Sequence, residues 1–183
     1  MDRCAIFIDG GYLSNLLKQK DKLKIDYEKL SEKLSDGMYH VGTYYYDAKP
    51  YSSKPETHVE KNLRYKRSQF FTRLDKIPRF EVKLGFTNKI TAGGKDVFQQ
   101  KGVDVKLALD LVKMCCDKQI QVAVIVTADG DFVPAVQAAK EAGVITKLCY
   151  SNEVPVSRYL LGVFDEKMQL TQDILDDCLL HPS

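Results

Sequence analysis

No run of about 18 apolar residues occurs in this 183-residue sequence, which excludes a membrane-spanning helix. Met1-Asp2-Arg3 enters a short apolar run without a signal-peptide pattern, so a soluble, cytoplasmic protein is expected. Net charge is scarce too. At +2, any attraction to a polyanion must come from local clustering. Internal repeats and low-complexity stretches are absent. The three histidines (His40, His58, His181) stand apart from the five cysteines. Cys4, Cys115, Cys116, Cys149 and Cys178 are odd in number, sit in apolar segments and form no Cys-x-x-Cys pair. That argues against a zinc site or a disulfide framework, and they read as small buried hydrophobes. A Gly-x-x-x-x-Gly-Lys loop is missing, and no Asp-x-Asp follows the first apolar run. Both absences weigh against phosphatases and nucleotide hydrolases of other α/β families.

Apolar residues make up 44% and charged residues 28%, ordinary values for a single globular domain. One domain over 1–183 is expected, with an acidic tail, 151–183, packed on it. Residues 4–8 form a short apolar run cut off by Gly10-Gly11, which suits a buried strand. Helical spacing follows over 12–19 and 27–34, the second with Asp26 as a cap. A strand is expected over 39–46, a charged helix over 57–74, and a strand over 80–86, where Phe80, Val82, Leu84 and Phe86 alternate. Residues 87–101 read as a polar loop, with room for a small hairpin around Gly93-Gly94. Val103, Leu107, Leu111 and Met114 make one stripe of a helix over 103–116. The β-branched run at 121–127 suits a strand buried on both faces. A helix over 129–142, a strand over 144–150, and short helices at 157–161 and 171–180 around an extended 167–170 complete the chain. Alternating strands and helices imply parallel strands joined by right-handed crossovers. The expected fold is a three-layer α/β/α sandwich with a mostly parallel sheet. The two most apolar strands, 4–8 and 121–127, belong side by side at its centre.

Those two strands end in acids. The first ends Phe7-Ile8-Asp9-Gly10-Gly11, the other Val126-Thr127-Ala128-Asp129-Gly130-Asp131. Ligands of open α/β sheets bind beyond the carboxyl ends of the strands. Asp104, after Lys101-Gly102-Val103, opens a helix that enters beside them. Each acid alone has an ordinary structural use. Asp9 and Asp129 suit turns, Asp131 suits a cap, and Asp104 suits a helix's first turn. Together, four carboxylates in one crevice repel each other and need a compensating cation. Oxygen ligands without His or Cys select magnesium or manganese over zinc. Such ions bind phosphates, activate water and stabilise a leaving oxygen, so phosphodiester hydrolysis is the implied chemistry. Asp110, six positions after Asp104, lies about 120° around the helix and need not share the site.

Three motifs carry a family resemblance: Phe7-Ile8-Asp9-Gly10-Gly11, Lys101-Gly102-Val103-Asp104-Val105 with Leu107-Ala108-Leu109-Asp110, and Thr127-Ala128-Asp129-Gly130-Asp131-Phe132. The sequence resembles the NYN domain, in its LabA-like branch of the PIN-like metal-dependent nucleases. Tyr44-Tyr45-Tyr46-Asp47 matches that branch too, and the resemblance runs from about Ala5 to Leu170. It implies a PIN-like fold, Mg2+ or Mn2+, and cleavage of RNA, with Asp9, Asp104, Asp129 and Asp131 as metal-binding and catalytic acids. Thr127, where a Ser is common, and Lys101 would support them. Many members have Asn three residues after the first Asp. Tyr12 stands there, and Asn15, one turn on, is the candidate substitute.

Residues 54–89 are locally basic, with aromatics Tyr65, Phe70 and Phe71 among the charges. Basic residues hold backbone phosphates and exposed rings stack on unpaired bases. Lys61, Arg64 and Arg67 recur at helical spacing. With Lys95 they are the candidate contacts for RNA, expected single-stranded. The alternative is a solvated amphipathic helix with its rings in the core. Lys95 and Lys101 would rim the acidic crevice, and the acidic tail from Ser151 onward is expected to face away from RNA. The preferred reading is a metal-dependent endoribonuclease. A non-catalytic RNA-binding module on the same fold is the alternative, and monomer and homodimer both remain open.

Overall fold

Strand β1 (Arg3–Asp9) runs between β2 (Tyr39–Lys49) and β5 (Val122–Val126), parallel to both. The computed structural model from which this is taken describes residues 1–180, and His181 lies outside them. On the β2 side the sheet continues through parallel β3 (Phe80–Ala92) and antiparallel β4 (Lys95–Lys101). On the β5 side it continues through β6 (Ile145–Tyr150) and β7 (Glu166–Gln169), both parallel. The order of the seven strands is β4-β3-β2-β1-β5-β6-β7. The winding reverses between β1 and β5, the pair expected at the centre from their apolarity. Such a reversal opens a crevice beyond the strand ends.

Alternate residues of β1 serve two cores, because successive strand side chains point to opposite faces. Cys4, Ile6 and Ile8 pack with Leu13 and Leu16 of α1 (Gly10–Gln19), Leu30 and Leu34 of α2 (Tyr27–Ser35), and Phe71 and Leu74 of α3 (His58–Leu74). Leu175 of α7 (Gln172–Asp177) joins them. Ala5 and Phe7 pack with Leu107 and Leu111 of α4 (Val103–Cys116), Val136 and Ala139 of α5 (Val133–Glu141), and Leu160 of α6 (Arg158–Val163). All five residues of β5 are buried, as a strand covered on both faces requires. Burying each such large side chain contributes about 1.5–3 kcal/mol. Four of the cysteines are buried and Cys116 is exposed, so the reading of all five as core residues fails at Cys116.

Local chemistry sets the helix starts. Asp26 accepts from the Glu28 and Lys29 amides and begins α2. Thr57 and Glu60 form a reciprocal capping box that begins α3. That helix buries only Phe71 and Leu74, and most of its charged residues are exposed. The helix expected over 129–142 starts as a 3₁₀ turn, Gly130–Phe132, and becomes α5 only at Val133, where Pro134 suits the first turn.

The segment expected to be a polar loop with room for a small hairpin is a hairpin along its whole length. β3 runs on to Ala92, six residues past the expected end, and pairs with β4 in register from Phe86↔Lys101 outward. Gly93 and Gly94, both at positive φ, make the two-residue turn that suits the strands' twist. β3 pairs with β2 only as far as Phe86, so the hairpin projects past the carboxyl end of the sheet as a two-stranded arm.

Candidate active site

Asp9 closes β1 and caps α1. Its Oδ1 accepts from the Tyr12 amide at 3.0 Å and its Oδ2 from the Thr127 hydroxyl at 3.0 Å. Thr127, fully buried just after β5, also accepts from the Asp129 amide at 3.1 Å. One hydroxyl therefore ties the ends of both central strands together. Asp129 in turn accepts from the Asp131 amide at 2.9 Å and starts the 3₁₀ turn. Asp9 spends one lone pair of each oxygen on these bonds and keeps acceptor capacity for a cation.

Asp104 comes from the other side, off the hairpin. Gly102, at φ 76, turns the chain from β4 into α4 and offers no side-chain cap. Gly85 lets this corner approach β3. A Cβ there would lie 2.4 Å from the Lys101 carbonyl oxygen and 2.8 Å from Val103 Cγ2. Gly10 does the same at the start of α1, where a Cβ would lie 2.7 Å from the Tyr46 carbonyl oxygen. The two glycines bring Asp9 and Asp104 into one electrostatic neighbourhood. Burial holds the Asp9 carboxyl above the ordinary carboxylate range. The Tyr12 amide and Thr127 hydroxyl oppose that, while the Asp104 and Asp129 charges add to it. Asp104 stands on the open rim, yet its carboxyl is also raised, by lost hydration first and then by the charges of Asp129 and Asp131. None of the four acids has a Lys, Arg or His partner among the described residues.

The donor set is oxygen alone. Among the described residues, no three Asp, Glu, His or Cys side chains already close on one point as a metal cage. An oxygen-only donor set is of the kind taken by magnesium and manganese, which keep several waters and take only one or two carboxylates directly. It does not fit structural zinc, which wants a closed tetrahedron of N and S ligands.

The NYN domain model matches residues 3–170. The chain belongs to the NYN domain family. An uncharacterized protein of Methanocaldococcus jannaschii, MJ0482, is 30% identical over 142 residues, which is 77% of this chain and 44% of that one. The chain thus spans less than half of that relative. A Vibrio parahaemolyticus protein of unknown function, VPA0982, has the same fold, with a TM-score of 0.69 over 98% of this chain and 96% of its own at 19% identity.

Within this NYN domain, the other expected site residues separate. Tyr12 is buried, and its hydroxyl accepts from the Ser151 amide at 2.8 Å, so the side chain serves the core and only its backbone serves Asp9. Asn15 is exposed on α1. Lys101 is exposed at the end of β4, one residue before the Gly102 turn. Asp110 is taken up by other partners, accepting from the Tyr46 hydroxyl at 2.9 Å and from Lys83 Nζ at 2.8 Å. Arg67 is an ion-pair partner of nearly buried Asp47, with its guanidinium 4.7 Å from the Phe71 ring centroid. Arg64 forks onto Glu56 through two 2.8 Å bonds. Lys61 and Lys95 are exposed. Phe71 is in the core and Tyr65 is exposed, so the rings of this segment are not all core residues.

Two neighbours of the site were missed. Gln100 of the arm reaches over α1, its Oε1 3.9 Å from where a Gly11 Cβ would stand. The segment after β6 borders the acids as well. Ser157 Oγ lies 3.6 Å from a Cβ placed on Gly130. Ser157, in the tail expected to face away from RNA, thus lies beside the Gly130 turn between Asp129 and Asp131. The topology would have found it, since whatever follows a parallel strand emerges at the same end of the sheet.

Proposed function

We propose that this NYN domain is a PIN-like, three-layer α/β/α metal-dependent endoribonuclease of the LabA-like branch. The observation that supports the reading most is the set of four acids, Asp9, Asp104, Asp129 and Asp131, without a cationic partner at the switch point. One or two of these carboxylates would hold Mg2+ or Mn2+ directly, and the others would reach it through its waters. When bound, such an ion supplies Lewis acidity toward phosphoryl oxygens and water. The chain's own part is orientation. Thr127 fixes the Asp9 carboxylate and the Asp129 backbone together, and the Tyr12 amide fixes the other Asp9 oxygen. The close approach of Gly85 to Lys101 and Val103 would set where Asp104 enters the crevice. Single-stranded RNA is the proposed substrate. Its backbone would meet exposed Lys61 and Lys95, and Arg64 would have to leave Glu56 to join them. Arg67 is better placed to hold α3 to the sheet than to meet a phosphate.

A binding module without catalysis is the second reading, and it draws on Tyr12, a core residue where the family resemblance leads to the expectation of Asn. A cleavage assay on RNA, DNA and mononucleotides, with and without EDTA, tests the choice. RNA cleavage that needs Mg2+ or Mn2+ supports the enzyme. Binding without cleavage supports the module.

A further inference from the structure

A groove of about 780 Å³ lies between α3, the carboxyl end of β2 and Leu84 in the middle of β3. Its walls include Lys49 at the end of β2, Lys61, Arg64, Tyr65 and Ser68 of α3, and Leu84 of β3, and Phe71 contributes apolar surface. Lys49 and Lys61 have no carboxylate partner among the described residues, while Arg64 is held by Glu56. Tyr65 is 62% exposed. The groove has one carboxylate, Asp75, and one of its oxygens accepts from the Val82 amide. Unpaired ammonium groups beside an open aromatic ring and apolar surface fit a phosphate and a base at once.

Strand register places the groove relative to the acids. Asp9 lies opposite Tyr46 on β2, and Lys49 is three residues further along. At about 3.3 Å per residue that is roughly 10 Å beyond the acidic crevice, toward the same end of the sheet. A chain leaving the crevice along β2 meets Lys49 first and the face of α3 next.

We propose that this groove is a second binding site for single-stranded RNA. It holds nucleotides next to those in the crevice, with phosphates at Lys49 and Lys61 and an unpaired base against Tyr65. A duplex keeps its bases stacked and cannot offer one to the ring. The identity of the strand rests on the ribonuclease reading, but binding is measurable without cleavage.

The test is fluorescence anisotropy in EDTA with labelled oligouridylate, an RNA duplex of equal length, and uridine monophosphate as competitor. Wild type binds the single strand more tightly than the duplex or the mononucleotide. Lys49→Ala/Lys61→Ala flattens the dependence of log Kd on log salt by about 1.4, at roughly 0.7 per phosphate contact on a single strand. Tyr65→Ala weakens binding about tenfold without changing that slope, and Tyr65→Phe restores it. Lys113→Ala, on α4, binds like wild type. Groove variants indistinguishable from wild type would overturn the proposal, as would a mononucleotide that binds as tightly as the oligomer, or no binding at all. Wild-type protein that binds through the groove but never cuts with metal removes the ribonuclease reading and leaves the groove standing. Cleavage unaffected by the groove variants does the reverse.

Discussion

The Thr127 hydroxyl donates to Asp9 Oδ2 at 3.0 Å while accepting from the Asp129 amide at 3.1 Å. This buried bridge fixes the spacing of the two strand ends that carry three of the four acids. Thr127→Val keeps the shape and removes both bonds. It should cost about 1–3 kcal/mol of stability, as expected when buried polar partners are orphaned, and reduce metal-dependent cleavage further than that loss of folded protein explains. Thr127→Ser should restore both. Urea unfolding and initial rates on folded protein check it, and full activity in the valine variant would remove Thr127 from the account.

Asp9 gives a pH dependence. Burial and the Asp104 and Asp129 charges raise its folded-state pKa above the usual 3.8. The folded protein then binds this proton more readily than the unfolded chain does. Stability contributed by the group falls as pH rises from the unfolded value through the folded one, and is lowest at neutral pH. In metal-free buffer, Asp9→Asn should therefore be at least as stable as wild type at neutral pH and show a flatter profile across the acid range. Denaturant midpoints against pH measure it. A variant clearly less stable at neutral pH, with the wild-type slope unchanged, would show that burial and repulsion of the Asp9 charge do not cost the fold stability.

Glycine at 85 is a packing requirement. Gly85→Ala puts a methyl against the Lys101 carbonyl and Val103, which the backbone must shift to accept. A loss of about 1–3 kcal/mol is expected, with a larger drop in activity because Asp104 moves with that corner. Gly130→Ala meets only Ser157 Oγ, at ordinary contact distance, and should change thermal stability by no more than about 0.5 kcal/mol. Equal melting temperatures for the two variants would contradict the contrast.

The fold was legible where apolarity is local. The 4–8 and 121–127 runs announced paired central strands, and the acids after each lie where those strands end. Asp104 was legible as a first-turn acid, but its approach depends on the contact of Gly85 with Lys101 and Val103, which no local pattern contains. The arm was read short because its outer residues alternate too weakly between apolar and polar, and all of β4 is exposed. Arg67 shares a helical stripe with Arg64, so charge spacing could not separate them. Only tertiary contact shows Arg67 paired with Asp47, twenty residues earlier.

That pair yields a further expectation. Asp47 is 3% exposed, so Arg67→Ala strands a buried carboxylate and should destabilise by about 3–5 kcal/mol. Removing both charges, as Asp47→Asn/Arg67→Met, should cost less than the single change. Chemical denaturation of the three variants checks this. An Arg67→Ala protein as stable as wild type but weaker on RNA would return Arg67 to the phosphate-binding role.

Cleavage of a labelled single-stranded RNA by wild type and Asp9→Asn, each with manganese and with EDTA, tests the account most directly. Wild type should cleave with manganese only, and Asp9→Asn should lose activity on the order of a thousandfold while keeping RNA binding in EDTA. Wild-type protein that binds the RNA and leaves it intact with manganese, behaving like Asp9→Asn, would contradict it.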